Sequence, residues 1–197
     1  MDNKERFISL IKSIPARAEN ITALLNKLEN SDFYIAPAST RYHHSYEGGL
    51  LEHSLNVYDN LCRLNEMMGC GYSDDTLKIV GLLHDISKMN FYEQYIQNKK
   101  VYSPSGTKHD NLGNFEWVSE PAYKVKDAEN RFVFGYSGQT SEFMIRTFFD
   151  ISYIESAALM QTGLGSDIGF NPDVMGAYPL ACLLYTADML DMYIPTK

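Results

Sequence analysis

Leu82-Leu83-His84-Asp85-Ile86-Ser87-Lys88 decides the reading of this chain, because it sets an imidazole and a carboxylate side by side in an otherwise apolar run. Leu77 and Val80 precede His84 by seven and four residues, which puts His84 on the apolar side of a helix. Ser73-Asp74-Asp75 caps that helix by offering oxygen acceptors and negative charge to its free N–H groups. The pattern carries the helix through Leu83 and Ile86, with Asp85 turned roughly 100° from its neighbour. A buried carboxylate without a partner is costly, so such a group is neutralised, paired or bound to a metal.

Two positions far away in the chain share this character. His53 lies three residues after Leu50 and four before Val57, on a helix introduced by Gly48-Gly49 and ended by Gly69 to Gly71. Asp188 follows Leu184 by four and Ala181 by seven, on a helix expected over Tyr178 to Tyr193 with Pro179 in its first turn. Taken singly, an inward histidine is usually a hydrogen-bonded core residue, and an inward aspartate a cap or ion-pair partner. Taken together, two histidines and two aspartates facing inward from three helices can share one divalent cation. Imidazole and carboxylate ligands leave Mn, Fe, Ni, Zn, Co and Mg open as its identity. Such an ion would lower the pKa of a bound water and polarise a phosphoryl oxygen.

Working outward, Phe7, Ile8, Ile11 and Ile14 precede Pro15 at helical spacing, and Ile21, Leu24, Leu25 and Leu28 continue the stripe. A fifth helix is expected from about 141 to 161. The stretch 90–140 differs, being rich in Gly, Asn, Tyr and Phe. Alternation at Phe115-Glu116-Trp117-Val118 and Arg131-Phe132-Val133-Phe134 predicts short strands there. Long irregular segments of this kind are more often functional insertions than linkers. Its rings Tyr92, Tyr95, Tyr102, Phe115, Trp117 and Tyr123 offer a stacking surface for a base, although a small satellite core is the plainer reading. Lys99, Lys100 and Lys108 read as a solvated face, and His109 as a surface residue.

The 197 residues fit one domain spanning 1–197, against ~100–200 for a typical domain, with N-terminal helices over 4–29 and a metal-site core in 40–90 and 141–193. Seventeen basic against 25 acidic residues give a net charge of −8, which counts against binding long nucleic acid. It leaves room for a small phosphorylated substrate met by a metal ion. Three cysteines without a CxxC pair, no signal-peptide block and no run of ~20 apolar residues predict a reducing, cytoplasmic location with no membrane span.

The order His53, His84-Asp85, Asp188 resembles the H…HD…D signature of the HD-domain superfamily of metal-dependent phosphohydrolases. His43-His44-Ser45-Tyr46-Glu47-Gly48-Gly49-Leu50-Leu51-Glu52-His53 is similar to the HHxxxGGLLxHs stretch of bacterial and phage members. Leu82 to Lys88 is similar to their LLHDIGK, and Ala187-Asp188 to their closing AD. The likeness runs from about 40 to 193. It implies a mostly α fold, an HD-type helical bundle with a loop-rich, partly β insertion around 90–140. It also implies one divalent metal on His53, His84, Asp85 and Asp188, and a nucleotide-like phosphomonoester or phosphodiester as substrate. Asp85 would bind the metal and orient its water. Lys88, four residues after His84 on the same side of the helix, would meet the phosphate, as would His43 or His44, either of which could also serve as general acid. Related chains carry a GHGEKS-like and a WHMG-like segment whose histidines can extend the site. Gly135 to Ser141 and Leu159 to Gly163 lack both histidines here. Two readings follow: a site with one metal, or a scaffold that binds a metal or nucleotide without hydrolysing it.

Overall fold

The computed structural model describes residues 1–14, 18–163 and 171–194; Pro15 lies outside them. The first helix, α1 (Asn3–Lys12), opens on a capping box in which Asp2 and Glu5 satisfy each other's backbone N–H groups. It is followed by α2 (Ala18–Glu29), α3 (Gly49–Met68) and α4 (Asp74–Leu83). As expected, Gly69 ends α3 in the left-handed region (φ 63°), and the Ser73 side chain caps α4 by accepting from Thr76 N. Near the other end lie α5 (Ser137–Arg146), α6 (Tyr153–Met160), α7 (Pro172–Ala177) and α8 (Pro179–Tyr193). The arrangement is mostly helical with one small sheet.

The long α3 is the axis, packed along α8 on one side and α4 on the other, with α6 against α8 and α5 against α6. Leu50, Leu55, Leu61, Ile79, Leu82, Leu83, Leu180 and Leu184 meet there with almost no exposure. Phe7, Ile11, Leu24 and Leu28 bring α1 and α2 onto the same core. Each of these side chains stabilises the fold by roughly 1.5–3 kcal/mol relative to leaving it in water.

Three expectations are corrected. The single helix over 141–161 is two, α5 and α6, because Ser152 and Glu155 form a capping box that starts a new helix. Phe149 and Ile151 tuck the intervening connector into the core. No strand forms at Arg131 to Phe134. The alternation there puts Phe132 and Phe134 on one side so that both stack on Phe143 of α5, with centroids 6.1 and 4.4 Å away. The expected strand at Phe115-Glu116-Trp117-Val118 does form, within β3; the strands are β1 (Tyr92–Tyr102), β2 (Lys108–Asp110) and β3 (Gly113–Val125), in the order β1-β3-β2. β1 and β3 pair antiparallel from Tyr92↔Val125 to Tyr102↔Phe115. This ribbon is no satellite core: Trp117 is 50% and Tyr102 42% exposed, and only Phe115 is well covered. His109 is on the surface as expected, held by Asn114. No described helix is long and apolar enough to cross a membrane.

Candidate metal centre

Three elements deliver the polar side chains to one point in the bundle. On α3, His53 is fully buried between Leu50 and Val57. Asn56, one turn further, donates to Asp191 Oδ1 (2.8 Å), and Asn60 donates to the carbonyl of Ala187 (3.4 Å), so the stripe fixes how α3 lies on α8. On α4, His84 is the last turn. The helix stops there: Lys88 N donates to Asp85 O (2.9 Å) and Met89 N to Ile86 O (3.2 Å), a tighter turn over Ile86–Lys88. This corrects the expected continuation through Ile86. In an unbroken helix adjacent side chains diverge by about 100°; leaving the helix at His84 lets Asp85 face the same point. Lys88 reaches the centre from the turn, not from a helix face, with Nζ 2.6 Å from Asp85 Oδ2.

The four expected ligand residues converge. His53 Nε2 lies 3.1 Å from His84 Nε2, 3.3 Å from Asp188 Oδ1 and 3.3 Å from Asp85 Oδ2, and His84 Nε2 lies 3.5 Å from Asp85 Oδ2. Most are longer than good hydrogen bonds. They fit donor atoms sharing a cation ~2.0–2.2 Å away, which stand about 3–3.5 Å from one another. The far sides of both rings are held tightly instead. His53 Nδ1 lies 2.6 Å from Asp191 Oδ2, and His84 Nδ1 lies 2.9 Å from the carbonyl of Gly81. Carboxylate and carbonyl only accept, so both Nδ1 atoms donate, and in the neutral rings both Nε2 lone pairs point at each other. Only a proton or a cation relieves that.

Charge leads to the same place. Asp85, Asp188 and Asp191 against Lys88 leave two negative charges in the bundle interior when the imidazoles are neutral, the amount a divalent cation balances. Burial opposes ionisation of all three carboxylates, yet their neighbours prevail. Lys88 and His84 hold Asp85 well below the usual carboxylate range, His53 lowers Asp188, and His44 with His53 lowers Asp191. Burial likewise disfavours charge on His53, but Asp188, Asp191 and Asp85 raise it well above its ordinary value. Burial lowers His84. The proton drawn to His53 marks where this field wants positive charge.

The loop before α3 adds the remaining histidines. Ser39 Oγ donates to His43 O (2.6 Å) and accepts from the N–H groups of Tyr42 and His43, both at 3.0 Å. His44 takes a left-handed φ of 44°, and a Cβ at Gly49 would lie 2.1 Å from His44 O, so Gly49 is what lets the loop close onto α3. The ring of His43 sits 5.0 Å from that of His53, and both its nitrogens are buried with no hydrogen-bond partner among the described residues. Burial, then the charges of His53 and Lys88, push its pKa down to about 4. At His44, Nε2 lies 2.8 Å from Asp191 Oδ2 and Nδ1 2.7 Å from Tyr46 Oη, so both nitrogens are engaged.

The sequence profile of the HD domain family matches residues 50–192, which take in His53, the His84-Asp85 pair and Asp188. The chain belongs to the HD domain family. HD domains are helical and bind divalent metals, in keeping with the bundle and with two groups of metal-capable side chains among the described residues, His53-His84-Asp188 and His44-His53-Asp191. The dihydroneopterin 2′,3′-cyclic phosphate phosphodiesterase of Methanocaldococcus jannaschii is 42% identical over 57 residues, 27% of this chain and 23% of that protein. The match thus spans less than a quarter of the relative's length. No solved structure matches the chain significantly. Together the HD profile and this relative support a metal-dependent phosphohydrolase in general terms.

Asp191 joins this cluster although its position in the sequence was not singled out. It follows Leu184 by seven and Ala187 by four, the same spacing that singled out Asp188 one turn earlier. Ser39 and Asn56 carry no comparable signal, since polar residues beside histidines are common.

Proposed function

We propose that this HD domain protein hydrolyses a small, nucleotide-like phosphomonoester or phosphodiester, with His53, His84, Asp85 and Asp188 as ligands of one divalent cation. The observation that carries this is the pair of inward Nε2 atoms 3.1 Å apart, ringed by carboxylates and closed behind by acceptors. When bound, the ion supplies an acidified water and a Lewis acid for a phosphoryl oxygen. The chain's own groups do the rest. Asp191, steadied by Asn56 and His44, fixes the tautomer and ring plane of His53. Asp85 turns one oxygen toward both imidazoles, where it can also orient a water. Lys88, beside Asp85, puts a point charge where a phosphoryl oxygen would enter. His43 is neutral near pH 7, with two unsatisfied nitrogens that can hydrogen-bond water or substrate. The name of the Methanocaldococcus relative favours the diester.

The rival reading, a scaffold that binds without hydrolysing, draws on the two missing histidines. The glutamines in those segments are structural: Gln139 Oε1 accepts from Tyr136 N (3.3 Å) and Gln161 Oε1 from Asn171 N (2.8 Å). Protein stripped with chelator and reloaded with Mn, Fe, Ni, Zn, Co or Mg is assayed for metal content, thermal shift and turnover on nucleotide monoesters, cyclic esters and diesters. The proposal expects one equivalent of metal, a stabilisation of about 2.7 kcal/mol at a hundredfold excess over Kd, and turnover lost in Asp85→Ala and His84→Ala. Thermal shift without turnover supports the rival scaffold; no bound metal overturns the hydrolase reading, and no shift with either metal or nucleotide overturns both.

A further inference from the structure

Beside the metal centre lies a cavity of about 190 Å³, between the turn at Ile86–Lys88, the start of β1 and the segment leading into α5. That is smaller than the ~300–1,000 Å³ pockets that take whole small molecules, so it suits one part of a ligand. Lys88 belongs to both places: it lines the cavity and its Nζ touches Asp85. A substrate held by its phosphoryl group at the centre would have this cavity beside it.

Arg131 lines the same cavity. Arg131 lies with its guanidinium over the ring of Phe91 (4.8 Å), and its Nε donates to the carbonyl of Lys126 (3.0 Å). Its two terminal nitrogens make no hydrogen bond, and it has no carboxylate partner, among the described residues. The next residue, Phe132, is locked in the ring stack on Phe143, so the segment is held in place. Ser137 and Thr140 add hydroxyls, and among the described residues no Asp or Glu lines the cavity, although the chain as a whole carries −8. A fixed guanidinium with its fork free is built for an oxyanion, which it takes with two parallel bonds.

Resting on the phosphohydrolase reading, we propose that this cavity binds a second phosphoryl group of the substrate, with Arg131 as the residue that recognises it. The preferred substrate then bears two phosphoryl groups, one at the metal centre and one against Arg131. Free phosphate is a second source of the same group.

Binding of adenosine 3′,5′-bisphosphate, adenosine diphosphate, adenosine 5′-monophosphate, adenosine and inorganic phosphate to the metal-loaded protein is measured by calorimetry, for wild type, Arg131→Ala and Arg131→Lys. At least one doubly phosphorylated probe should bind about tenfold or more tighter than the monophosphate, the size of one charge-assisted contact. Arg131→Ala should erase that margin while leaving monophosphate affinity and circular dichroism unchanged; Arg131→Lys should restore part of it. Inorganic phosphate bound to wild type and lost in Arg131→Ala would assign the same group to a free anion. Overturning results are no preference for either doubly phosphorylated probe, equal weakening of all nucleotides in Arg131→Ala, or adenosine binding as tightly as its phosphates. An Arg131-dependent preference without any turnover would keep this subsite and remove the hydrolase reading.

Discussion

Asp191 Oδ2 lies 2.6 Å from Nδ1 of His53, a far shorter contact than any His53 makes on its other side. The short bond sits behind the ring and the looser ones in front, which is how a ligand is aimed and not how a salt bridge is built. The same oxygen also meets His44 Nε2 at 2.8 Å, and the other oxygen takes Asn56 at 2.8 Å, so one carboxylate ties α8, α3 and the preceding loop together.

Asp191→Asn should accordingly keep the fold and lose grip on the metal. An amide can still accept from Asn56 but cannot serve both imidazoles as a carboxylate does. The expected outcome is a ~10–100-fold weaker affinity for the divalent ion, read by metal titration, with far-UV circular dichroism unchanged. Wild-type affinity in that variant would reduce Asp191 to packing.

His53, His84 and Asp188 are legible in the sequence because each sits at apolar helical spacing, and Asp85 because it adjoins His84 in an apolar run; burial makes such polar residues costly. Asp191 obeys the same spacing. The helix end at His84 is not marked by glycine or proline, so an unbroken pattern through Ile86 hides the turn that aims Asp85 and Lys88. The Phe132 and Phe134 alternation satisfies a strand and a ring stack equally well, and only α5 tells them apart. Arg131 had no sequence signal for this role, since the Ser87–Tyr92 part of the cavity lining comes from residues 39 to 44 positions upstream.

Gly49 and Gly69 flank the same helix and should respond differently to alanine. At Gly49 the added Cβ meets the His44 carbonyl at 2.1 Å, so the loop carrying His43 and His44 must move; at Gly69 nothing lies within 4 Å, and only the left-handed φ is strained. Gly49→Ala should cost about 2–4 kcal/mol and lower metal affinity through the displaced His44-Asp191 contact. Gly69→Ala should cost about 1 kcal/mol with affinity intact. Urea denaturation and metal titration of the two variants decide it, and equal losses would refute the loop's role.

The ribbon carries its own pH signature. Asp110 accepts from Lys100 Nζ (2.6 Å), Leu112 N (2.9 Å) and Tyr102 Oη (2.9 Å), and the Lys100 bond first, then Leu112, hold it down to about 2. A carboxylate lowered by folding contributes fully above its unfolded value of ~3.9 and loses that contribution as pH falls toward the folded value. The β2–β3 end should therefore loosen between about pH 4 and 2. Trp117, the single tryptophan, lies 5.7 Å from Lys100 Nζ and reports it by fluorescence. Lys100→Met should move the midpoint up toward the ordinary carboxylate value. A midpoint that stays put would mean the Leu112 and Tyr102 bonds suffice.

Lys88 separates the two tasks proposed for the turn after α4. Its side chain is 17% exposed, and against the cost of burial Asp85 raises its pKa, so the contact favours the charged form of Lys88. Lys88→Met removes the nearest counter-charge of a buried carboxylate, and the chelated protein should lose about 1–3 kcal/mol. Reloading with divalent ion should recover most of that loss, because Asp85 then regains a positive neighbour. Turnover should not recover, since nothing replaces the charge facing the phosphoryl oxygen, and a drop of about a hundredfold is expected. Lys88→Arg should restore stability more than rate, because a planar fork does not present charge where a compact ammonium did. Denaturation of chelated and reloaded protein, alongside initial rates, reads both. Rates within a few-fold of wild type in Lys88→Met would leave Lys88 as a structural counter-ion alone.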